Sequence, residues 1–305
     1  MWVNVKSGIG SNYLQTKLLK PVLENFEPNL YFYKMGVKPM IDNGIGTVSW
    51  AKASQLSVTA ATATLTEGVV PNSTAFTYTV ISTTPTQYGI YVEISDRLLK
   101  AAPTKIINDA GKEIGANMAR IVDQVIQTEV MAGSNVIYSD VSTNTVRTDL
   151  ASTDIITSSL VRKTHTKLLN QNAPDIDGYF LAIAHPFVVG DLQSEASGSW
   201  LEFSKYTTPD KLFKGEIGAL YGIRFSISQN VQTFASTTTV YPTLVMGAGA
   251  YGVTEWASME TFYNPLGSGA DPLHQVASVG CKVDFSAKRL QEGAMVRMET
   301  AATSV

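Results

Sequence analysis

Little in this sequence ionises. Only 16 % of its 305 residues are charged, against ~25 % in typical soluble domains, and Ser, Thr and other small residues fill the difference. The formal net charge is −3, which gives no basis for strong attraction to nucleic acid or to an acidic membrane. A single cysteine, Cys281, excludes an internal disulfide framework and fits a reducing cytoplasm. Long apolar runs are missing too. The most apolar stretch, Phe180 to Val189, is short and broken by His185-Pro186, so no membrane span is expected. Met1-Trp2-Val3-Asn4-Val5-Lys6 has neither the basic start nor the apolar core of a signal peptide. The expectation is a soluble, cytosol-made protein with one large domain or two intermeshed ones.

Signatures of chemistry are equally scarce. No GxSxG elbow and no P-loop occurs. His165, His185 and His274 stand far apart without paired-ligand spacing, and no second cysteine joins Cys281, which argues against a zinc site. Asp175-Ile176-Asp177-Gly178 begins like a calcium loop but lacks the later bidentate Glu, so a plain turn is expected. Asn72-Ser73-Thr74 fits a glycosylation sequon, idle in a cytosolic protein. Gly247-Ala248-Gly249-Ala250-Tyr251-Gly252 matches GxGxxG after a predicted strand. Yet Val253-Thr254-Glu255-Trp256 reads as extended, and no strand–helix–strand unit follows to seat a pyrophosphate on a helix N-terminus. The glycines therefore read as a tight turn between strands. No catalytic residue, cofactor or metal is expected, and Cys281 reads as a small buried hydrophobe.

What the chain does have is one long amphipathic stretch, Thr104 to Ala132. Ile107, Ala110, Ile114, Met118, Ile121 and Val125 recur at three- and four-residue steps and share one helix face. Asp109, Lys112, Glu113, Asn117, Arg120, Asp123, Gln124 and Gln127 are expected on the opposite side. Pro103 stops what precedes, Thr104 suits an N-cap and Gly133 a left-handed C-terminal stop. Such a rod is roughly 43 Å long, and its apolar stripe predicts that it lies on a sheet.

Before the rod the pattern is that of strands. Tyr88, Ile90, Val92 and Ile94 alternate with Gln87, Gly89, Tyr91 and Glu93, a half-buried strand; Phe76, Tyr78 and Val80 alternate with Thr77, Thr79 and Ile81. Between Lys52 and Glu93 the only charged side chain is Glu67, within Leu65-Thr66-Glu67-Gly68-Val69-Val70-Pro71. A long, Thr-rich, charge-poor hairpin makes a poor free surface, because uncharged strand edges invite pairing with another chain. It either folds back on its own sheet or extends over an adjacent subunit.

Residues 1–45 read as an arm. Leu14, Leu18, Leu19 and Leu23 sketch a short helical face, and Pro21, Pro28 and Pro39 prevent a long helix. Phe26, Leu30, Tyr31, Phe32 and Met35 dock either on their own subunit or on a neighbour. After the rod come a polar stretch of loops and strands (139–153), a helix capped by Asp154 with Ile156, Leu160, Leu168 and Leu169 inward, and a buried strand from Tyr179 to Ala184. A short helix at Pro186 follows, then an aromatic loop (197–216) and strands at 223–227 and 241–246. Near the end Val279, Cys281, Val283, Phe285 and Ala287 alternate with Gly280, Lys282, Asp284, Ser286 and Lys288. Gln291-Glu292-Gly293 is expected to turn the chain into a return strand carrying Ala294, Val296 and Met298. That hairpin would be the sheet beneath the rod. Arg120 and Arg297, with acidic neighbours, read as structural.

The order of these pieces resembles the major capsid proteins of tailed bacteriophages. Leu65 to Pro71, Gln87-Tyr88-Gly89 and Ile94-Ser95-Asp96 are similar to that family's extended-loop and loop-to-helix passages. Lys214-Gly215-Glu216-Ile217-Gly218 through Arg224, the phrase Gly247 to Val253, and the end from Gly280-Cys281-Lys282-Val283 to Val296-Arg297-Met298-Glu299 are similar as well. The closest resemblance is to the coliphage N4-type subgroup. It implies the α+β Hong Kong 97-type fold, with an N-terminal arm (1–46), an extended loop (47–95), a peripheral domain (96–150 and 253–305) built on the spine helix 104–132, and an axial domain (151–252). It implies hexamers and pentamers closing into an icosahedral virion head that encloses double-stranded DNA. Portal and decoration or scaffolding proteins would be partners, with assembly in the host bacterial cytoplasm. Under this reading Leu65, Glu67, Val69, Val70, Phe76, Tyr78 and Val80 are the inter-subunit contact candidates. An encapsulin-like compartment shell has the same fold and is the alternative; a stand-alone enzyme fits least.

Overall fold

Alternating apolar and polar residues build the first strands of the structure, a computed structural model. It describes residues 32–38, 46–53, 56, 63–70, 73–101, 106–139, 144–195, 219–267 and 273–303. β1 (Val48–Ala53) and β2 (Tyr78–Thr83) form a two-stranded antiparallel ribbon in which Val48 faces Thr83 and Ala53 faces Tyr78. β3 (Thr86–Ser95) leads into the short helix α1 (Asp96–Ala101), whose first turn is held by Ser95 Oγ accepting from Leu98 N–H at 3.4 Å. The rod is helix α2 (Ile106–Met131); the expected cap Thr104 and stop Pro103 lie outside the described residues.

The remaining elements are, in chain order, β4 (Val136–Tyr138), α3 (Ser158–Asn170), β5 (Phe180–Ala184), α4 (Pro186–Ser194), β6 (Ala219–Leu220), β7 (Ile223–Ile227), β8 (Phe234–Ala235), β9 (Thr239–Met246), β10 (Tyr251–Asn264), β11 (Val276–Arg289) and β12 (Met295–Thr300). One detail differs around α3. Its N-cap is Thr157, which accepts from Leu160 N–H at 3.3 Å. Asp154 instead accepts from Ala151 N–H at 2.8 Å and Asn144 Nδ2 at 2.9 Å, closing the preceding turn. Ile156, Leu160 and Leu168 are buried, but Leu169 is exposed. Between 144 and 153 the chain makes a 3-10 turn, Arg147–Asp149, and no strand among the described residues. The aromatic loop 197–216 and the passage 214–218 lie outside them.

Two sheets result. One runs β10–β11–β3, all antiparallel; the other runs β4–β12–β9–β5–β7–β6, with β8 attached to β9. The strict alternation along β11 sends Ala277, Val279, Cys281, Val283 and Phe285 into a core shared with Ile114, Met118, Val122, Ile126 and Val130 of α2. That core also takes in Ile183, Leu244 and Met246 from the larger sheet. On the opposite face of the larger sheet, Ala182, Ala184, Val245, Val296 and Met298 pack with Leu160, Val161 and Leu168 of α3 and Val188, Val189 and Leu192 of α4. Each large apolar side chain so buried contributes about 1.5–3 kcal/mol before entropy is charged against it.

Two expectations are corrected here. The residues 279–298 do not form a hairpin. β11 is filled on both edges by β10 and β3, while β12 lies in the other sheet, parallel to β4 and antiparallel to β9. At the junction Leu290 and Gln291 N–H both donate to Ala250 O at 3.0 Å, which steers the chain away from β11 before it can fold back. β3, grouped by sequence with the loop, is the outer strand of the smaller sheet, and β12 joins a sheet whose other strands are mostly from 180–246.

The second correction concerns the rod. Asp123 and Gln127, expected on its solvent face, are fully buried. The cause is that α2 is covered from two sides. Gln127 Nε2 donates to Asn230 O at 2.9 Å and its Oε1 accepts from Gln232 N–H at 2.8 Å, while Val231 between them enters the core. Asp123 faces the Tyr251 ring, whose hydroxyl is held protonated by burial and by that carboxylate.

Part of the arm is described. Phe32 is buried, its carbonyl accepts from Tyr251 Oη, and Tyr33 Oη donates to the Glu255 carboxylate. Val37 bridges Gly252 in parallel, with its N–H donating to Tyr251 O at 2.9 Å and its carbonyl accepting from Val253 N–H at 3.0 Å. Residues 32–38 thus dock on their own subunit, along the free edge of β10. Leu14, Leu18, Leu19, Leu23 and Phe26 lie outside the described residues.

Candidate functional site: an assembly surface

Among the described residues, the ribbon of β1 and β2 is anchored at one end. Thr83 Oγ1 and Ser286 Oγ of β11 share a hydrogen bond at 2.6 Å, and the Trp50 indole lies directly on Gly252 of β10. Farther out, Thr66 to Val69 make a turn in which Val69 N–H donates to Thr66 O at 3.2 Å and Gly68 takes the left-handed φ of +78° that a side chain resists. Phe76 stands edge-on to Tyr78 with ring centroids 5.0 Å apart.

All seven contact candidates are exposed. Val70 is 89 % exposed and Leu65 71 %, with Val69, Phe76, Tyr78 and Val80 above half; Glu67 is exposed too. Leu56 adds another exposed apolar side chain. Exposed apolar side chains of this kind, beside a ribbon that pairs with no third strand among the described residues, form a surface whose burial is favourable. The rod residues divide. Ile114 and Met118 are fully buried, whereas Ile107, Ala110, Ile121 and Val125 are half-buried against the same core.

The suspected chemical motifs are structural. Gly247 N–H donates to Ala294 O at 2.8 Å and Ala248 N–H to Pro174 O at 2.9 Å, so the amides a phosphate would need are already engaged. A Cβ on Gly247 would sit 2.1 Å from Pro174 O, which explains the glycine by close packing, and β10 rather than a helix follows. Asp177 and Gly178 take φ of +52° and +81° between Ile176 and Tyr179, which exchange hydrogen bonds at 2.8 and 3.0 Å: a hairpin turn, not a calcium loop. His185 Nδ1 accepts from Phe187 N–H at 3.3 Å as a helix cap, and His165 meets the edge of Phe180. Cys281 is buried, and that burial pushes its thiol up to about 11. No group of metal-ligating side chains occurs among the described residues.

Sequence reasoning missed a charged cluster. The Glu299 side chain, fully buried, accepts from Arg147 Nε at 2.7 Å and Nη2 at 2.6 Å, and from Arg297 Nε at 2.7 Å. Arg297, read as structural beside an acid, makes that ion pair with Glu299; Arg120 is exposed and makes no ion pair among the described residues. At the end of α2, Glu292 Oε1 accepts from Ser134 and Asn135 N–H at 2.6 and 3.1 Å, and Lys288 meets Glu129 at 3.1 Å.

Known proteins agree with this architecture. The capsid of Ralstonia phage GP4 superposes with a TM-score of 0.70 over 90 % of this chain and 92 % of that one, at 13 % identity. The capsid of cyanophage P-SCSP1u gives 0.66 over 90 % and 89 %, also at 13 % identity. A virus-like particle from Pyrococcus furiosus gives 0.54 over 96 % and 100 %, at 10 % identity. None of the curated proteins matches the chain. Residues 77–297 match the family described as phage capsid protein, which does not favour the compartment-shell alternative. With that span matched and the Hong Kong 97-type fold in place, the chain belongs to the phage capsid protein family and is a structural protein of the capsid shell.

Proposed function

We propose that this subunit rings into hexamers and pentamers that close into an icosahedral head around double-stranded DNA, with the 47–95 loop laid over the neighbouring subunit. The observation that carries the reading is the ribbon's exposed apolar row, from Leu65 to Val80, on a segment with one charged side chain. Burying that row on a neighbour at many equivalent contacts gives avidity from modest individual interactions. Within the subunit, α2 and the β10–β11–β3 sheet supply the stiff peripheral part, and the 151–252 region the axial part. The net charge of −3 supports a container that confines DNA without gripping it. Portal and decoration or scaffolding proteins are the further partners, and the host bacterial cytoplasm is the place of assembly.

Electron microscopy of the purified protein tests this directly. Rings or closed shells are expected, alone or with the virus's assembly factors. A sharp monomer near 32.9 kDa at high concentration, with and without those factors, overturns the proposal.

A further inference from the structure

Two guanidiniums, Arg147 and Arg297, share the single buried carboxylate of Glu299. Among the described residues the cluster therefore carries one positive charge without an ion-pair partner, beside the C-terminal end of α2. Arg147 uses Nε and Nη2 on Glu299, and Arg297 uses Nε on Glu299 and Nη1 on Gly133 O at 3.2 Å. Arg147 Nη1 and Arg297 Nη2 have no hydrogen-bond partner among the described residues. Phe234 lies under both, with Arg147 3.8 Å and Arg297 5.7 Å from its ring centroid, and fixes the guanidinium planes. These three side chains line an open cavity of about 320 Å³, together with Thr128, Gln232 and Met131. Asp149, the acid nearest Arg147 in sequence, is turned away: its Oδ2 accepts from Thr145 and Val146 N–H at 3.0 and 3.1 Å.

We propose that this cavity binds a small free oxyanion of the phosphate class. Two preset guanidiniums with spare N–H groups are the donor set that a planar or tetrahedral oxyanion accepts from most strongly. The bond to Gly133 O also offsets the partial negative charge of the helix end, which would otherwise oppose an anion there. The Arg297 side chain is only 10 % exposed, which favours a free ion over a polymer phosphate. The inference is independent of the shell reading, because every residue comes from one subunit.

Hydrogen exchange of the full chain, with inorganic phosphate as the probe and chloride at equal ionic strength as control, tests it. Saturable protection confined to residues 128–133 and 231–235 is expected with phosphate alone. A short DNA duplex at equal phosphate content is expected to give none. Arg147→Lys, which keeps the charge but loses the fork, should weaken phosphate binding roughly tenfold. Thr128→Glu places a carboxylate at the mouth from an exposed helix position, leaves the ion cluster intact and should abolish the protection. Equal effects of phosphate and chloride, protection elsewhere, protection by the duplex, or unchanged binding in Thr128→Glu would each overturn the proposal.

Discussion

Trp50 and Gly252 are in such close contact that no side chain fits between them: a Cβ on Gly252 would lie 2.6 Å from the indole ring, well inside the distance real carbon atoms keep. This contact fastens the base of the ribbon to β10. Gly252→Ala should displace Trp50 and cost about 1–3 kcal/mol by overpacking. Thermal unfolding with tryptophan emission checks it, and Trp50→Leu in the same chain should restore part of the loss. An unchanged melting curve for Gly252→Ala would show that the ribbon base is not anchored there.

The double coverage of α2 sets a second expectation. Ile114→Asp puts a carboxylate into the core shared by both sheets and should cost several kcal/mol. Asp123→Ala should also destabilise, since it empties a fully buried position beside Tyr251. Arg120→Gln, on the exposed side, should stay within about 0.5 kcal/mol of wild type. Denaturant midpoints rank the three, and Asp123→Ala matching Arg120→Gln would place Asp123 outside the packed seam.

Cys281 links stability to alkaline pH. Its ordinary value is 9.0, and burial raises it to about 11 in the folded chain. Between those values the unfolded chain loses a proton that the folded chain keeps, so this group's contribution to stability falls as pH rises from about 9 to about 11. Cys281→Ala lacks that term. Over the same pH interval the midpoint of wild type should therefore drop more than that of Cys281→Ala, and folded wild type should resist thiol alkylation near neutral pH. Rapid labelling of the native protein would contradict the burial.

The ribbon yields the assembly prediction. Val70 and Leu65 touch water in the lone subunit, so Val70→Asp and Leu65→Asp should leave its unfolding within about 0.5 kcal/mol of wild type and yet block shell closure in micrographs. Residues 53–92 contain no lysine, which removes the amine needed for an isopeptide cross-link from this loop. Particles boiled in detergent should then release a single monomer band. A ladder of covalent multimers would sink the non-covalent reading.

How much of this could be read beforehand varies with the physics. α2 and β11 were legible because a period near 3.6 or of 2 records which face is dry. Alternation names a face, however, not a neighbour, and so β11 and β12 were joined into a hairpin although they belong to different sheets. Asp123 and Gln127 misled because a second segment covers their side of α2; Gln127 finds its partners at Asn230 and Gln232, about a hundred residues away. Arg147 was invisible for the same reason, since its carboxylate is Glu299. The exposed row of the ribbon was the easiest part to read, because scarcity of charge is a local property of sequence.

The placement of β12 also has a consequence for how the chain is made. It is the latest strand in chain order, yet it is inserted between β4 and β9, and β4 pairs with no other strand among the described residues. During synthesis β4 must wait, unpaired, until residue 300 has left the ribosome. A nascent or prematurely ended chain therefore cannot complete the larger sheet, nor the core beneath it, so a truncated copy lacks the fold with which to join a lattice of sound ones.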